Sequence, residues 1–148
     1  MDVQIGANNQ IFIKQIIIDK IRCSLGKYNY ETGGIIGLSN NTIVEFEFDA
    51  YSPHEQYEYY PTTDFFEEII NKEWRSKNIS FIGIVHSHKH NNRISVQDIS
   101  YCREIIKAND EIEELIIGVL DLSDEDHRLK WFSVNLLSAE ETDIVCVQ

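Results

Sequence analysis

The chain has 148 residues, 43% of them hydrophobic and 26% charged, which is enough to bury the core of one ordinary domain. Its 25 acidic side chains outnumber the 13 basic ones, and the formal net charge of −12 argues against nucleic acid as a partner, because non-specific binding to nucleic acid neutralises phosphates. No apolar run is long enough to span a membrane, the first residues lack a signal-peptide pattern, and the three cysteines form no CxxC pair. These features predict a single globular, cytoplasmic domain over residues 1–148.

The first half of the chain predicts strands and helices in alternation. A strand at 11–13 is followed by a helix in which Ile17, Ile21 and Leu25 recur at helical spacing and which ends near Gly26. Next come a hairpin of 32–38 and 42–50 around Ser39-Asn40-Asn41, a strand at 55–60 closed by Pro61, and a helix through Lys77 that Thr62 or Thr63 caps. The apolar stripe of that second helix consists of Phe66, Ile69, Ile70 and Trp74.

The second half continues this pattern and predicts an α/β class. The predicted elements are a buried central strand at 79–86, a helix at 95–107, and two closing strands at 115–122 and 129–134 around the charged turn 123–126. The inward-facing residues of that helix are Ile99, Cys102, Ile105 and Ile106. The last ten residues are ambiguous, although Ile144–Val147 favours a short strand.

The segment His86-Ser87-His88 lies at the end of the central strand, and Ser95 and Asp98 follow where the next helix begins. In a strand, residues i and i+2 point to the same face, so His86 and His88 can bind one ion while Ser87 points away. A catalytic zinc ion needs at least one further ligand and an open position for water. Asp98 is the nearest suitable carboxylate, so the sequence predicts a zinc site of His86, His88 and Asp98.

Two further residues are candidates for the chemistry. Glu31, in Glu31-Thr32-Gly33-Gly34, would act as a base outside the metal shell, taking the proton of a zinc-activated water and passing it to a leaving amine. Ser95, at the predicted helix start, would donate a hydrogen bond to the oxyanion.

Each part of this pattern also has an ordinary structural explanation. Ser95-Val96-Gln97-Asp98 fits a common capping box, and paired histidines are often core or surface residues. Glu31 alone would be a solvated charge, and Gly33 and Gly34 would mark a turn or bulge. The joint occurrence of these parts, in this order, favours a functional site.

The chain has three other histidines, of which His90 is an alternative ligand. His90 extends the pattern to HxHxH, but Asn91 and Asn92 indicate that the chain has already turned, so His90 is the lesser alternative. His54 and His127 lie in loop-like contexts and are expected to be surface residues.

At these motifs the chain resembles the JAB/JAMM (MPN+) zinc metalloprotease family, especially its bacterial branch. The family carries E-x-G-G, then H-[ST]-H, then S-x-x-D, and the resemblance covers roughly residues 10 to 135. It implies a cytidine-deaminase-like, three-layer fold with a central mixed sheet flanked by helices. It also implies that His86, His88 and Asp98 hold zinc, that Glu31 is the acid and base, and that Ser95 stabilises the oxyanion.

The chain departs from the family pattern in the loop after the second histidine. Only Lys89 to Ile94, six residues, separate His88 from Ser95, where the family usually has seven. The residue after HxH is often proline in the family and is Lys89 here. A shorter loop would shift Ser95 and Asp98 by part of a helical turn.

The resemblance implies cleavage after the C-terminal tail of a ubiquitin-like or sulfur-carrier protein. The substrate tail would lie extended beside the Glu31 strand or its neighbour, adding a strand by main-chain pairing. The aromatic segment 57–61 would either line the partner surface or form a half-buried edge strand. Two alternatives remain: a non-catalytic MPN-type scaffold that only binds proteins, and a zinc hydrolase acting on a small-molecule adduct.

Overall fold

The computed structural model describes residues 10–52, 59 and 61–148. The strands are β1 (Ile11–Lys14), β2 (Gly33–Ser39), β3 (Thr42–Phe48), β4 (Ser80–His88), β5 (Leu115–Asp121), β6 (Leu129–Val134), β7 (Ala139–Thr142) and β8 (Ile144–Val147). The helices are α1 (Gln15–Gly26), α2 (Thr63–Glu68) and α3 (Val96–Ala108). Helix α2 continues as a π-helical segment over Ile69–Trp74 and a 3₁₀ turn over Arg75–Lys77. None of the described helices has the length and apolar character needed to cross a membrane.

The described strands form one mixed sheet in the order β7-β6-β5-β4-β2-β3-β1-β8. Helix α1 lies on one face, where Ile17, Ile21 and Leu25 are buried against six of the strands, as their helical spacing predicts. Strands β7 and β8 are the two ends of this order, yet Asp143 alone separates them along the chain. Because the chain from Thr142 to Ile144 spans about 7 Å at most, the sheet must curl around α1 until its two ends meet.

Helices α2 and α3 cover the other face of the sheet. Phe66, Ile69 and Trp74, from α2 and its continuation, are buried against β2 and β4. Cys102 and Ile106 of α3 are buried against β5 and β6. The expected three-layer arrangement, with a central mixed sheet between helices, is therefore confirmed.

Strand β4 lies in the middle of the sheet, antiparallel to β2 and parallel to β5. A register shift in its pairing with β2 interrupts the usual alternation of side chains. Phe81 and Ile84 both pack toward α2 and α3, although they are three residues apart, and Ile82 packs with α1. His86 and His88 continue the two-residue spacing from Ile84 and therefore point to the α2/α3 face.

Most predicted elements are confirmed, with shifted ends. Strand β4 extends to His88, two residues beyond the predicted end, and α3 begins at Val96 with Ser95 as its N-cap. The hairpin turn has Asn40 and Asn41 at φ angles of 51° and 61°, in the left-handed region that a two-residue hairpin turn favours.

Other expectations need correction. The second predicted helix has the right extent, but its backbone changes to π-helical geometry after Glu68. Thr62 occupies the N-cap position of α2, as one of the two predicted alternatives has it, but its side chain makes no capping hydrogen bond. Strand β7 was not predicted because Ala-Glu-Glu-Thr lacks alternating apolar residues. The strand expected at 55–60 lies outside the described residues apart from Tyr59, which is not in a strand.

The expected strand addition beside the Glu31 strand is also wrong for β2 itself. Strand β3 pairs with one side of β2 and β4 with the other, along most of Gly33–Ser39. Strand β4, one neighbour of β2, is itself paired on both sides. The other neighbour, β3, pairs with β1 only at Thr42 and Ile43. A substrate strand therefore cannot pair next to Gly33–Ser39.

Candidate metal centre

His86 and His88 meet Asp98 at the end of β4. His86 Nε2 lies 2.8 Å from Asp98 Oδ1, and His88 Nε2 lies 3.5 Å from Asp98 Oδ2. The imidazole rings are 4.6 Å apart between centroids, and one donor atom from each of the three residues lies within 4.8 Å of the others. The structure thus brings together the three residues that the sequence predicts as zinc ligands.

A capping box at the start of α3 holds Asp98 in place. Ser95 Oγ accepts a hydrogen bond from the Asp98 N–H at 3.1 Å, and Asp98 Oδ2 accepts one from the Ser95 N–H at 3.0 Å. The Asp98 carboxylate is therefore both a part of the capping box and a candidate metal ligand. The two interpretations of Ser95 and Asp98 that the sequence left open are compatible, because capping fixes the carboxylate beside the histidines.

The donor set fits zinc. His86 is buried, and neither of its ring nitrogens has a hydrogen-bond partner among the described residues, although Nε2 approaches Asp98 so closely. A buried nitrogen without a partner is costly, and one zinc ion would satisfy Nε2, the nitrogen that faces Asp98. Tetrahedral zinc with bonds of about 2.0–2.1 Å places its ligand atoms roughly 3.3 Å apart, a value between the two His–Asp separations.

The electrostatics keep the carboxylate ionised. Burial opposes the charge on Asp98, but the close imidazoles of His86 and His88 and the Ser95 N–H outweigh burial and hold the pKa of Asp98 well below its usual range. Burial likewise disfavours the His88 imidazolium, yet Asp98 and the charge of Glu31 outweigh it, so the pKa of His88 is raised. His88 and Asp98 thus favour each other's charged forms, and a cation that binds both displaces the imidazole proton.

Glu31 lies at the same site. Its Oε2 accepts a hydrogen bond from the backbone N–H of Lys89 at 3.3 Å, one residue beyond His88. Glu31 precedes β2, and the chain there is tied to β4 by Ser87, whose Oγ and backbone N–H both bond the backbone of Thr32. The expectation that Ser87 points away from the metal ligands is thus confirmed, and its hydroxyl instead fixes the segment that carries Glu31.

The site opens into a cleft of about 760 Å³ between β4, α3 and the residues that precede α2. One part of its lining is polar and includes Glu31, His86, His88, Ser95 and Asp98. Another part is apolar or aromatic and includes Tyr59, Pro61, Ile84, Tyr101 and Ile117. All five predicted site residues therefore face one cavity, which also has room for a bulky substrate group.

Two other side chains that could react or bind a metal, Cys102 and His90, also line the cleft. Burial, reinforced by the charge of Asp98, raises the pKa of the Cys102 thiol to about 12, so the thiolate needed for nucleophilic attack is scarce at neutral pH. His90 lines the cleft but is exposed and lies outside the three-residue metal group. His127 is half-buried, with its ring close to Gly26, and His54 lies outside the described residues.

Sequence reasoning missed three contributions to this site. One is the Lys89 N–H, because a backbone donor leaves no trace in residue type. A second is Asp49, which is buried and bonds the hydroxyl of Tyr59 at 2.9 Å. The third is the Tyr59 ring itself, for which the sequence offered only a partner surface or an edge strand. The sequence places Asp49 inside the predicted strand 42–50, and no pattern of residue types marked it as a buried carboxylate beyond the actual strand end at Phe48.

No family model matches this chain. No curated protein matches it either. Solved structures do resemble it. The solution structure of protein DSY2949 from Desulfitobacterium hafniense has a TM-score of 0.73 at 14% identity, and the match covers 94% of each chain.

Two further structures carry descriptions of their fold. AF2198, a JAB1/MPN domain protein from Archaeoglobus fulgidus, has a TM-score of 0.55 at 17% identity over 93% of this chain and 100% of that one. A structure described as a JAMM metalloprotease-like zinc site in the proteasome and signalosome has a TM-score of 0.53 at 17% identity over 95% and 100%. At these identities the likeness is one of fold, and this chain has the JAB/MPN fold.

Proposed function

We propose that this protein is a zinc-dependent peptidase or isopeptidase that cleaves after the C-terminal tail of a ubiquitin-like or sulfur-carrier protein. The observation that carries the proposal is the convergence of His86, His88 and Asp98 on one point, with Glu31 and Ser95 in the same cleft. The fold supports it, because a structure of similar fold is described as having a metalloprotease-like zinc site.

His86, His88 and Asp98 would hold the zinc ion with two nitrogens and one oxygen. When bound in such a site, zinc lowers the pKa of a water molecule toward neutrality and polarises the carbonyl that is attacked. The chain's own residues supply the remaining steps.

Glu31 would act as the proton carrier. It lies outside the three-residue metal group, and the Lys89 N–H holds one of its oxygens. Glu31 would accept a proton from the attacking water and deliver it to the leaving amine as the amide C–N bond breaks.

Ser95 would stabilise the transition state. Its hydroxyl oxygen already accepts the Asp98 N–H, which leaves the hydroxyl proton to donate to the oxyanion. The cleft wall formed by Tyr59, Pro61 and Tyr101 would hold the residues next to the bond that is cleaved.

A cytoplasmic location, the absence of nucleic-acid partners and the identity of the protein substrate remain predictions.

The test is to incubate the purified, zinc-loaded protein with each ubiquitin-like protein of its own genome, fused to a C-terminal extension. We expect one or more fusions to be cleaved after the tail, and we expect a chelator to stop cleavage and added zinc to restore it. Cleavage that persists after complete metal removal, or no cleavage of any fusion, would overturn the proposal.

A further inference from the structure

A buried carboxylate that plays no part in the proposed reaction lies behind the aromatic wall of the cleft. Asp49 follows β3 and is only 2% exposed. Its backbone N–H donates to the Gly33 carbonyl at 2.9 Å, which ties it to the segment that follows Glu31. No ion pair to Asp49 occurs among the residues that the structure describes. Because a buried charge is costly, its retention calls for an explanation.

Three donors converge on this carboxylate. Tyr59 donates its hydroxyl to Oδ2 at 2.9 Å, the Thr62 N–H donates to the same oxygen at 2.8 Å, and the Tyr51 N–H donates to Oδ1 at 3.2 Å. Thr62 is the N-cap of α2, so Asp49 also places negative charge at that helix start. The carboxylate thus accepts hydrogen bonds from Tyr51, shortly after β3, and from Tyr59 and Thr62, shortly before α2.

The Tyr59 ring is held between this anchor and the metal ligands. Its centroid lies 6.3 Å from that of His86, and it packs so closely over Gly33 that a Cβ there would lie 2.5 Å from Tyr59 Cε2. Gly33 is therefore required by the close approach of the ring. Burial and the adjacent Asp49 charge raise the pKa of Tyr59, so the phenol stays protonated and remains a donor.

We propose that Asp49 is a positioning residue that fixes Tyr59 as the wall of the substrate cleft beside His86. This inference rests on the proposed peptidase function and identifies what sets the shape of its substrate subsite. Asp49 touches neither the substrate nor the metal, and it acts through the Tyr59 hydroxyl.

The experiment measures kcat and KM for the cleaved fusion protein with Asp49→Asn, Tyr59→Phe and the double variant. Each single change removes or weakens the same hydrogen bond and is expected to raise KM about tenfold while kcat changes little, the loss typical of a hydrogen bond to a charged group. Since both changes act on one contact, the double variant should be no worse than the more affected single variant. Tyr51→Phe, which alters an exposed tyrosine nearby, is the matched control and should behave as wild type.

Two further measurements separate positioning from folding. Zinc content should equal that of wild type in every variant. We expect the NMR spectrum of wild type to show a slowly exchanging Tyr59 hydroxyl proton, and this signal should be lost in Asp49→Asn. If Asp49→Asn fails to fold, Tyr59→Phe decides the question, because it keeps the carboxylate and both of its backbone donors.

The possible failures are distinguishable. An active wild type with unchanged KM in Tyr59→Phe, or additive effects in the double variant, would overturn the positioning role alone. A wild type that cleaves no fusion protein would overturn the proposed function and, with it, the role of Tyr59 as a substrate wall.

Discussion

The backbone N–H of Lys89 bonds the carboxylate of Glu31, and Lys89 directly follows the candidate ligand His88. The candidate base is thus held by the same strand end that carries a metal ligand. The proline that the resemblance to the JAB/JAMM family leads one to expect at this position could not hold Glu31 in this way, because proline has no N–H to donate.

Replacing Lys89 should separate this backbone role from that of the side chain. Lys89→Pro removes both the side chain and the N–H, whereas Lys89→Ala removes only the side chain. We expect kcat of the proline variant to be about tenfold below that of the alanine variant, since a hydrogen bond to a charged group is lost. Zinc content and KM should match in the two variants. Equal kcat values would show that the N–H does not position Glu31.

Changing Glu31 should abolish turnover but spare the metal. In Glu31→Ala, we expect kcat to fall by about a hundredfold or more, because the group that moves protons is gone. Zinc content, measured by atomic absorption, should stay at the wild-type level, because Glu31 lies outside the metal group. Glu31→Gln keeps the size of the side chain and its acceptor oxygen but cannot carry the proton, so it should be equally inactive. Loss of zinc from either variant would place Glu31 in the metal shell.

The two neighbouring histidines provide a matched pair for the metal site. His88→Ala should weaken zinc affinity by more than the roughly 100-fold typical of changes around a metal shell, and activity should fall with it. His90→Ala changes an exposed imidazole in the same loop and should keep wild-type affinity. Competition with a chromogenic chelator measures both affinities. An unchanged affinity in His88→Ala together with a loss in His90→Ala would reverse the assignment.

Ser95→Ala should affect three properties at once. Loss of the cap is expected to lower the free energy of unfolding by about 1 kcal/mol. Loss of the hydroxyl donor is expected to lower kcat by about a hundredfold or more. Zinc affinity should also weaken, because loss of the bond from the Asp98 N–H to Ser95 Oγ loosens the first turn of α3, which carries Asp98. The Ser95 backbone N–H still bonds the Asp98 carboxylate in this variant.

Threonine at position 95 is the control, because Ser95→Thr keeps both the cap and the hydroxyl. Thermal unfolding, kinetics and zinc titration of the two variants separate the three effects. If Ser95→Ala loses stability while kcat stays unchanged, Ser95 is only a helix cap.

The sequence was sufficient to predict the parts of the site that depend on short spacing. His86 and His88 share a face because they are two residues apart on a strand, and Asp98 lies at the first turn of the next helix. The six-residue loop after His88 still brings Asp98 Oδ1 within 2.8 Å of His86 Nε2. Local rules decided these positions.

The parts that the sequence did not reveal depend on contacts between distant segments. The register shift between Phe81 and Gly83 places Phe81 and Ile84 on the same face of β4, and it leaves no pattern of residue types. Asp49 acquires its role only when Tyr59 and Thr62 fold back onto it. The 2.9 Å bond between two side chains ten residues apart cannot be inferred from periodicity.

The bent segment formed by β7 and β8 has a consequence for solubility. Because these two strands pair with β6 and β1, the segment 139–147 covers two strand edges that would otherwise present unpaired backbone groups to other molecules. Exposed strand edges are templates for self-association. A protease that removed this one segment would replace the present outer strands, β7 with its two glutamates and β8, by the uncovered edges of β6 and β1 at both ends of the sheet.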